Sequence, residues 1–188
     1  MKHDYDFVIH AKGRSGTHML ASFLNSHPDI SCEGEYNKQD KKINPKPRAK
    51  VHGAIFMYNV PAFSWLRPRP KVIHLLRNPE INAVSFIRQQ KRLQMRRAGT
   101  TEGMPGPEFT LPPDKLKIEA DKIRRQQREH KRKVERLHKS IELNYEDMAI
   151  DGKAEVMPED IGKKICLFLG VPYVKMICET PVEFGTKV

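Results

Sequence analysis

The sequence contains no long hydrophobic run and few cysteines. No stretch of its 188 residues approaches the length of apolar run that spans a bilayer, and the segment MKHDYDFVIH shows no signal-peptide pattern. The three cysteines, at positions 32, 166 and 178, have no metal-ligand spacing and cannot all pair with one another. These absences argue against a membrane protein and a disulfide scaffold, so we expect a soluble, cytoplasmic chain with reduced thiols.

Several nucleotide- and nucleic-acid-binding motifs are also missing. The triphosphate-binding motif G-x-x-x-x-G-K-[ST] is absent, because Gly16 is followed by Thr17 and His18. There is no zinc-finger spacing, no aromatic RNA-binding motif and no clear helix-turn-helix. A Walker-type kinase or GTPase is therefore disfavoured, and a protein that reads nucleic-acid sequence is the weaker alternative.

Length and charge limit the remaining possibilities. With 38% apolar residues, the chain can bury one core, and we expect a single domain over residues 1–188. The net charge of +11 predicts attraction to an anion, which could be a nucleotide, a polysaccharide, a nucleic acid or a membrane surface.

Hydrophobic periodicity predicts alternating strands and helices. Short apolar runs indicate strands over 6–11, 29–33, 50–57, 71–76 and 141–145. Helices are predicted from Ser15 to before His27, from Asn78-Pro79-Glu80 onward, and over 158–169. This alternation is typical of a three-layer α/β fold in which helices flank a mostly parallel sheet. Polar or Gly/Pro-rich stretches at 36–49 and 94–113 predict mobile loops.

A long, strongly basic helix is predicted over 114–140. It carries eleven lysines and arginines against five acidic residues. Such a helix could follow an acidic glycan or a nucleic-acid backbone, or it could be a solvated helix whose charges pair at i, i+4 spacing.

The loop after the first strand has the composition of an anion site. A glycine-containing turn into a helix directs backbone N–H groups at one small space, and the helix dipole favours a phosphate there. Arg14 adds positive charge, while Ser15 and Thr17 add hydroxyl donors. The alternative is a plain strand-to-helix turn with exposed basic residues.

Three segments together resemble the sulfotransferases that use 3′-phosphoadenosine 5′-phosphosulfate (PAPS). GRSGTHMLASFLNSHPDISCEGE is similar to that family's 5′-phosphosulfate-binding segment, and KVIHLLRNPEINAVSFIRQ to its 3′-phosphate-binding strand-loop-helix. LNYEDMAIDGKAEVMPEDIGKKICLFLGVP resembles the family's late tyrosine-containing strand and the helix that ends in F-L-G-V-P. The resemblance implies the P-loop-NTPase-like sulfotransferase fold, PAPS as donor and 3′-phosphoadenosine 5′-phosphate (PAP) as product.

The resemblance also implies binding residues for the nucleotide. The 5′-phosphosulfate would be held by Lys12, Gly13, Arg14, Ser15, Gly16, Thr17 and His18, the last standing where the family often has a hydroxyl residue. Arg77 and Ser85 would hold the 3′-phosphate. Tyr145 matches an adenine-contacting position but could equally be a core aromatic, and Lys187 is either a closing lid or a solvated terminal lysine.

The resemblance implies a general base that deprotonates the acceptor hydroxyl. It also implies that Arg14 stabilises the negative charge that develops during the transfer. Glu35 is the first choice, and Glu33, two residues earlier, should project to the same face of its strand. His52 is the rival, because PRAKVHGAI resembles the Lys-Thr-His stretch of cytosolic sulfotransferases and imidazole suits proton transfer near neutral pH. It would act either as the alternative base or as a donor to the leaving group. No metal is required by this chemistry.

The sequence therefore predicts a sulfotransferase that acts on a hydroxyl-bearing acceptor: a carbohydrate (including an anionic glycan), a tyrosyl residue, or a small alcohol or phenol. One alternative is a nucleotide-binding phosphoryl-transfer enzyme with an atypical anion loop. Another is a non-catalytic basic module that binds nucleic acid or another polyanion. We expect no membrane partner.

Overall fold

The structure is a computed structural model that describes residues 5–35, 49–58, 68–97, 99, 111–149 and 155–178. Five parallel strands form one sheet, in the order β2-β3-β1-β4-β5. The strands are β1 (Phe7–Ala11), β2 (Ile30–Glu35), β3 (Val51–Met57), β4 (Lys71–Leu76) and β5 (Ser140–Asn144). The helices are α1 (Thr17–Ser26), α2 (Pro79–Arg97), α3 (Pro113–Leu137), α4 (Tyr145–Met148) and α5 (Glu159–Leu169).

Helices cover both faces of the sheet, as the predicted three-layer α/β architecture requires. On one face, α1 and α5 bury residues such as Phe23 and Ile165 against Ile9 and Ile73. On the other face, Val134 of α3 packs against side chains that include Val8, Phe56 and Val72. α2 packs on α3 through Ala83, which meets Ala120 and Ile123. β1 is buried along its whole length because both of its faces are covered.

Three predicted boundaries differ from the structure. α2 continues to Arg97, so residues 94–97 of the predicted loop over 94–113 are helical. α3 ends at Leu137 instead of residue 140, because Ser140 already pairs with Val72 as the first residue of β5. Tyr145 begins the short helix α4 instead of ending a strand. Most of the predicted loops, 36–48 and 100–110, lie outside the described residues, as does Lys187.

The strand order creates a crevice between the carboxyl ends of β1 and β4. From β1 the chain passes through α1 to β2 at one edge of the sheet, whereas from β4 it passes through α2 and α3 to β5 at the other. Open α/β sheets bind ligands where neighbouring strands send their connections in opposite directions. Within the described ranges, no helix combines the length and apolar character that a membrane span requires.

Candidate functional site

The loop between β1 and α1 has an unusual backbone conformation. Arg14 has a φ of 69° and Gly16 a φ of 83°, both in the left-handed region. Glycine adopts this region at little cost, whereas for arginine it is strained, and such strain occurs often at functional sites. A side chain at position 16 would also overlap the ring of Tyr145. The loop therefore requires glycine at position 16 and holds Arg14 in a fixed, strained conformation.

The same loop leads into the amino end of α1. Gly16 is the N-cap, and the first turn of α1 contains no acidic residue. The first N–H groups of a helix have no partner within it, and the helix dipole makes this end favourable for an anion. Ser15 and Thr17, on either side of Gly16, are buried at 0% and 3% exposure. The arrangement supplies several donors, and the first turn of α1 itself contributes no carboxylate.

The segment after β4 contacts this loop directly. Arg77 Nη1 donates to the carbonyl oxygen of Arg14 at 2.7 Å, and Arg14 Nε lies 3.4 Å from Ser85 Oγ on α2. Asn82 Nδ2 donates to Ser15 Oγ at 3.0 Å, which leaves the serine hydrogen available for another acceptor. The structure thus brings Arg14, Arg77 and Ser85 together at the crevice, as the order of the strands predicts.

The half-buried guanidinium of Arg14 and the buried guanidinium of Arg77 lie close enough to affect each other electrostatically. Burial is the largest cause of the lowered pKa of Arg14, and the neighbouring cations Arg77 and Arg92 lower it further. Burial also lowers the pKa of Arg77, which is 8% exposed. Both side chains nonetheless stay charged at any physiological pH. Holding two desolvated cations close together is costly, and a bound anion would relieve that cost.

Tyr145 contacts both segments that line the crevice, the loop after β1 and the segment after β4. Its ring lies under the Arg77 guanidinium, 4.5 Å from ring centroid to Cζ, and against Gly16. The side chain is 7% exposed and belongs to the core beneath α1. The next residue, Glu146, accepts a hydrogen bond from the Asn78 N–H at 2.9 Å. The contacts of Tyr145 are those of a core aromatic that positions Arg77, and its role toward adenine stays a prediction.

Glu35 lies at the carboxyl end of β2 and pairs with the first turn of α1. His18 Nε2 and Glu35 Oε1 are 3.3 Å apart, with the Glu35 side chain 10% exposed and the His18 side chain 59% exposed. Glu35 is close enough to Arg14 to raise the pKa of that guanidinium, against the larger lowering effects. A carboxylate therefore lies within electrostatic reach of the predicted 5′-phosphate loop.

The expectation that Glu33 and Glu35 share a face is not met. The pairing of β2 with β3 shifts between them, so that Glu33 aligns with Ala54 and Glu35 with the adjacent Ile55. Glu33 accepts a hydrogen bond from the Tyr5 hydroxyl at 2.9 Å, on the side of the sheet that α3 covers. A bulge interrupts the simple alternation of side chains, and it directs Glu35 toward α1 instead.

His52 lies at the wrong end of the sheet for the predicted base. It is the second residue of β3, and its backbone exchanges hydrogen bonds with Asp6, just before β1 begins. The Arg14 loop follows the opposite end of β1, and at about 3.3 Å per residue the five residues from His52 to Met57 span about 16 Å. The histidine hypothesis is therefore corrected: the structure does not bring His52 to Arg14.

Lys12 and Gly13 begin the loop, and their predicted roles toward the nucleotide stay predictions. The Lys12 ammonium lies 5.0 Å from the centroid of the Phe86 ring on α2, and burial followed by the charge of Lys122 on α3 lowers its pKa. Its side chain is thus directed toward the space between α2 and α3. Gly13 has open space where a side chain would extend, so packing does not require glycine there.

The sequence interpretation missed two polar side chains that hold the crevice. Asn82 is fully buried and joins α2 to the loop, while Gln127 Nε2 donates to the Arg77 carbonyl oxygen at 2.9 Å and so joins α3 to the end of β4. The signal for Gln127 was available, because it interrupts the apolar stripe of α3. Asn82 gave a weaker signal, as a polar residue on a helix face that is otherwise buried.

A cluster of aromatic rings, with His10 and His74 buried and Tyr58 and His130 half-buried, was also missed. His10, Tyr58, His74 and His130 lie with ring centroids 4.0 to 5.7 Å apart, on the α3 side of the sheet. Tyr58 Oη and His74 Nε2 form a hydrogen bond at 2.5 Å. Among the described residues, no group of three or more His, Cys, Asp or Glu side chains is placed to hold a metal ion.

Comparisons with known proteins agree with this geometry. No protein-family model matches the chain, and no curated protein sequence matches it either. The fold matches a solved sulfotransferase from Alicyclobacillus acidocaldarius with a TM-score of 0.57 and 16% sequence identity, over 96% of this chain and 87% of that one. The chain has the sulfotransferase fold.

Two further solved structures show the same fold. A mouse sulfotransferase in complex with PAP matches with a TM-score of 0.55 and 20% identity, over 92% of this chain and 61% of its own. The sulfotransferase domain from the curacin biosynthetic pathway matches with a TM-score of 0.55 and 15% identity, over 93% of this chain and 76% of its own. The sulfotransferase fold thus accounts for nearly all of this chain, which spans less than two thirds of the mouse protein.

Proposed function

We propose that this protein transfers a sulfuryl group from PAPS to an acceptor hydroxyl. The observation that carries the proposal is the contact between its two anion-binding segments, in which Arg77 Nη1 donates to the Arg14 carbonyl oxygen while Arg14 Nε lies beside Ser85 Oγ. Two strand ends far apart in sequence thereby present two cations to one crevice. A nucleotide with phosphates at its 3′ and 5′ positions offers two anions for such a pair.

The residues of the crevice fit PAPS chemically. Arginine donates a fork of hydrogen bonds to a phosphate, and serine and threonine hydroxyls and helix-start N–H groups add single ones. Arg14, Ser15 and Thr17 would hold the 5′-phosphosulfate, and Arg77 with Ser85 the 3′-phosphate. Ser15 is suited to this role because its oxygen already accepts a hydrogen bond from Asn82.

Each remaining group has a chemical role in the proposed transfer. When bound, PAPS supplies the sulfuryl group, which moves from the 5′-phosphate oxygen to the acceptor oxygen. Glu35 accepts the proton that the acceptor hydroxyl loses, and His18 holds that carboxylate toward α1. Arg14 stabilises the negative charge that develops on the 5′-phosphate oxygen as the sulfuryl group leaves it. Positioning and charge stabilisation supply most of the acceleration in the related phosphoryl transfers.

The proposal is tested by binding and transfer in the intact protein. Calorimetry should show one PAP site per chain, and incubation with radiolabelled PAPS should move label to at least one acceptor among acidic glycans, tyrosyl peptides and phenols. Release of PAP should equal the label transferred. Tight binding of ATP with magnesium and none of PAP would overturn the proposal in favour of phosphoryl transfer. PAP binding without transfer to any acceptor would indicate a non-catalytic module.

A further inference from the structure

The second half of α2 is strongly cationic. Beyond Ser85 this helix carries five basic residues and no acidic one: Arg88, Lys91, Arg92, Arg96 and Arg97. The carbonyl end of a helix favours cations, but only within about its last turn. The helix dipole therefore favours Arg96 and Arg97 but does not reach Arg88 and Arg92.

Three of these arginines extend the face of α2 that already lines the crevice. Arg88, Arg92 and Arg96 follow Ser85 at intervals of 3, 7 and 11 residues, which places all four side chains on one side of the helix. At 1.5 Å per residue, the row runs about 16 Å from Ser85 to Arg96. We name Arg88, Arg92 and Arg96 the α2 track.

The α2 track begins at a buried residue and ends in solvent. Its first member, Arg88, is 5% exposed, an unusual position for an arginine. Arg92 is exposed, yet it lies close enough to Arg14 to lower the pKa of that guanidinium. Ser85, where the row starts, lies 3.4 Å from Arg14 Nε. The track is thus continuous with the site proposed for the nucleotide.

We propose that the α2 track binds the anionic groups of the acceptor, and that this acceptor is an acidic polysaccharide. The inference rests on the proposed sulfuryl transfer and names its substrate class. Arg14 and Arg77 already match the two phosphate positions of the nucleotide, so a further row of cations, about 12 Å from Arg88 to Arg96, suits a chain with repeated charges. Acidic polysaccharides carry carboxylates for such a row and many free hydroxyls to accept the sulfuryl group.

A nucleic acid fits this surface less well. Proteins that bind single strands combine cations with aromatic side chains on which bases stack. From Ser85 to Arg97 the only aromatic residue is Phe86, and its ring is already covered by the Lys12 ammonium. Duplex nucleic acid, in turn, offers few free hydroxyls to a sulfotransferase.

The exposed arginines of α3 provide a matched control. Arg125, Arg128, Arg132 and Arg136 lie on one exposed side of α3 at spacings of 3, 4 and 4. By helix geometry this side is opposite Ile123, Gln127 and Val134, which face the body of the protein. An acceptor bound there could not reach Glu35. The row carries four arginines against the three of the α2 track, and it points away from the crevice.

The test compares two double variants of equal charge, Arg92→Gln/Arg96→Gln and Arg132→Gln/Arg136→Gln. Fluorescence anisotropy measures binding of a labelled hyaluronan oligosaccharide, with neutral dextran and duplex DNA as comparison ligands, and calorimetry measures PAP binding in parallel. We expect the α2 variant to bind hyaluronan about tenfold more weakly and the α3 variant within about twofold of the parent protein. The KM for the acidic acceptor should rise in the α2 variant with little change in kcat.

The other outcomes are also decisive. Equal losses in both variants would show an effect of net charge alone and would overturn the inference. So would dextran binding as tightly as hyaluronan, a preference for duplex DNA, or a parallel loss of PAP and hyaluronan binding in the α2 variant. Failure of the sulfotransferase proposal itself looks different, because the parent protein would then fail to bind PAP or to transfer label at all.

Discussion

At the residue scale, Glu35 combines the features expected of the general base. It ends a strand at the carboxyl edge of the sheet, its side chain is largely covered, and it lies within the field of Arg14. His52, which matches a different sulfotransferase motif, starts its strand at the opposite edge. Position in the sheet therefore favours Glu35 over His52, and the role of Glu35 as the base stays a prediction.

Replacing Glu35 by glutamine should remove proton transfer while keeping the shape of the site. A positioned base typically contributes about 10²- to 10⁴-fold, so kcat should fall by that order in Glu35→Gln. PAP affinity measured by calorimetry should stay within about threefold of the parent value, since no residue proposed to contact the nucleotide is changed. His52→Gln is the matched control and should retain near-normal turnover. Normal turnover in Glu35→Gln, or a large loss only in His52→Gln, would reverse the assignment.

The sequence predicted the site best where local pattern and topology act together. Arg14, Arg77 and Ser85 could be grouped because parallel strands end at a common edge, and the strands themselves were clear apolar runs. The predicted strand over 50–57 already placed His52 near its amino end, although the motif pointed the other way. The bulge at Glu33 and Glu35 could not be predicted, because it depends on pairing with β3.

At the element scale, two motifs that carry the family resemblance hold the scaffold instead of the ligand. His27, fully buried after α1, accepts the Asp29 N–H at Nδ1, and its Nε2 lies 2.9 Å from the Pro172 carbonyl oxygen. Accepting at Nδ1 leaves Nε2 as the donor. The His-Pro turn is thereby joined to the G-V-P segment that follows α5. This contact over 145 residues could not be read from either motif alone.

Removal of the His27 ring should therefore destabilise the fold without touching the site. His27→Ala loses two hydrogen bonds and leaves a cavity, and we expect the free energy of unfolding to fall by about 2–4 kcal/mol. Urea denaturation measures the change, with PAP affinity of the folded fraction as the second readout. Unchanged stability, or a selective loss of PAP affinity at full stability, would contradict a scaffold role.

The long basic helix α3 connects to the crevice and to the sheet through two polar residues, a role that its charged composition does not indicate. The sequence pattern predicted a helix that extends about as far as the observed one, and it left the function of its charge open. In the structure, Gln127 and His130 turn inward, the former to the Arg77 carbonyl oxygen and the latter to the rings of Tyr58 and His10. The interruptions of the apolar stripe are thus the residues that join α3 to the site and the sheet.

At the scale of the whole molecule, the ring cluster makes stability sensitive to acid. Burial is the main cause that lowers the pKa of His10 to about 2 and that of His74 to about 4, from an ordinary value of 6.5, and the neighbouring His130 lowers both further. Glu142 opposes this shift at His74, and Lys131 adds to it. In the unfolded chain these histidines bind protons below pH 6.5, whereas in the folded protein they stay neutral. Stability is therefore complete above pH 6.5 and falls as the pH decreases toward the lowered values.

The His74→Gln variant isolates one of these groups. Glutamine keeps an acceptor for the Tyr58 hydroxyl but does not titrate. Between pH 6.5 and 5, the parent protein should lose up to about 1.4 kcal/mol per pH unit for each histidine that stays neutral, and the variant should lose less by up to that amount. Urea denaturation across this window measures both slopes. Parallel slopes would show that His74 is not kept neutral by the fold.

The sequence predicted the fold, but it did not predict which acceptor the proposed enzyme uses. Alternating apolar runs and helix signals fix the layers, and the crevice between β1 and β4 follows from the strand order. What an acceptor meets depends on how side chains from distant segments are arranged, as with the α2 track, and no local pattern records that arrangement.

The central claim is that Arg14 and Arg77 hold opposite phosphates of one adenine nucleotide, and the most direct test is the ratio of affinities for PAP and AMP. AMP lacks the 3′-phosphate, so its affinity reports on the Arg14 loop alone. Calorimetry on the parent protein, on Arg77→Gln and on the milder Ser85→Ala, with Arg125→Gln as control, gives the ratio in each. Since a hydrogen bond to a charged group contributes about 1.5–3 kcal/mol, the preference for PAP should fall about 10- to 150-fold in Arg77→Gln. It should fall less in Ser85→Ala and stay unchanged in Arg125→Gln. A preference for PAP that survives in Arg77→Gln would contradict the account.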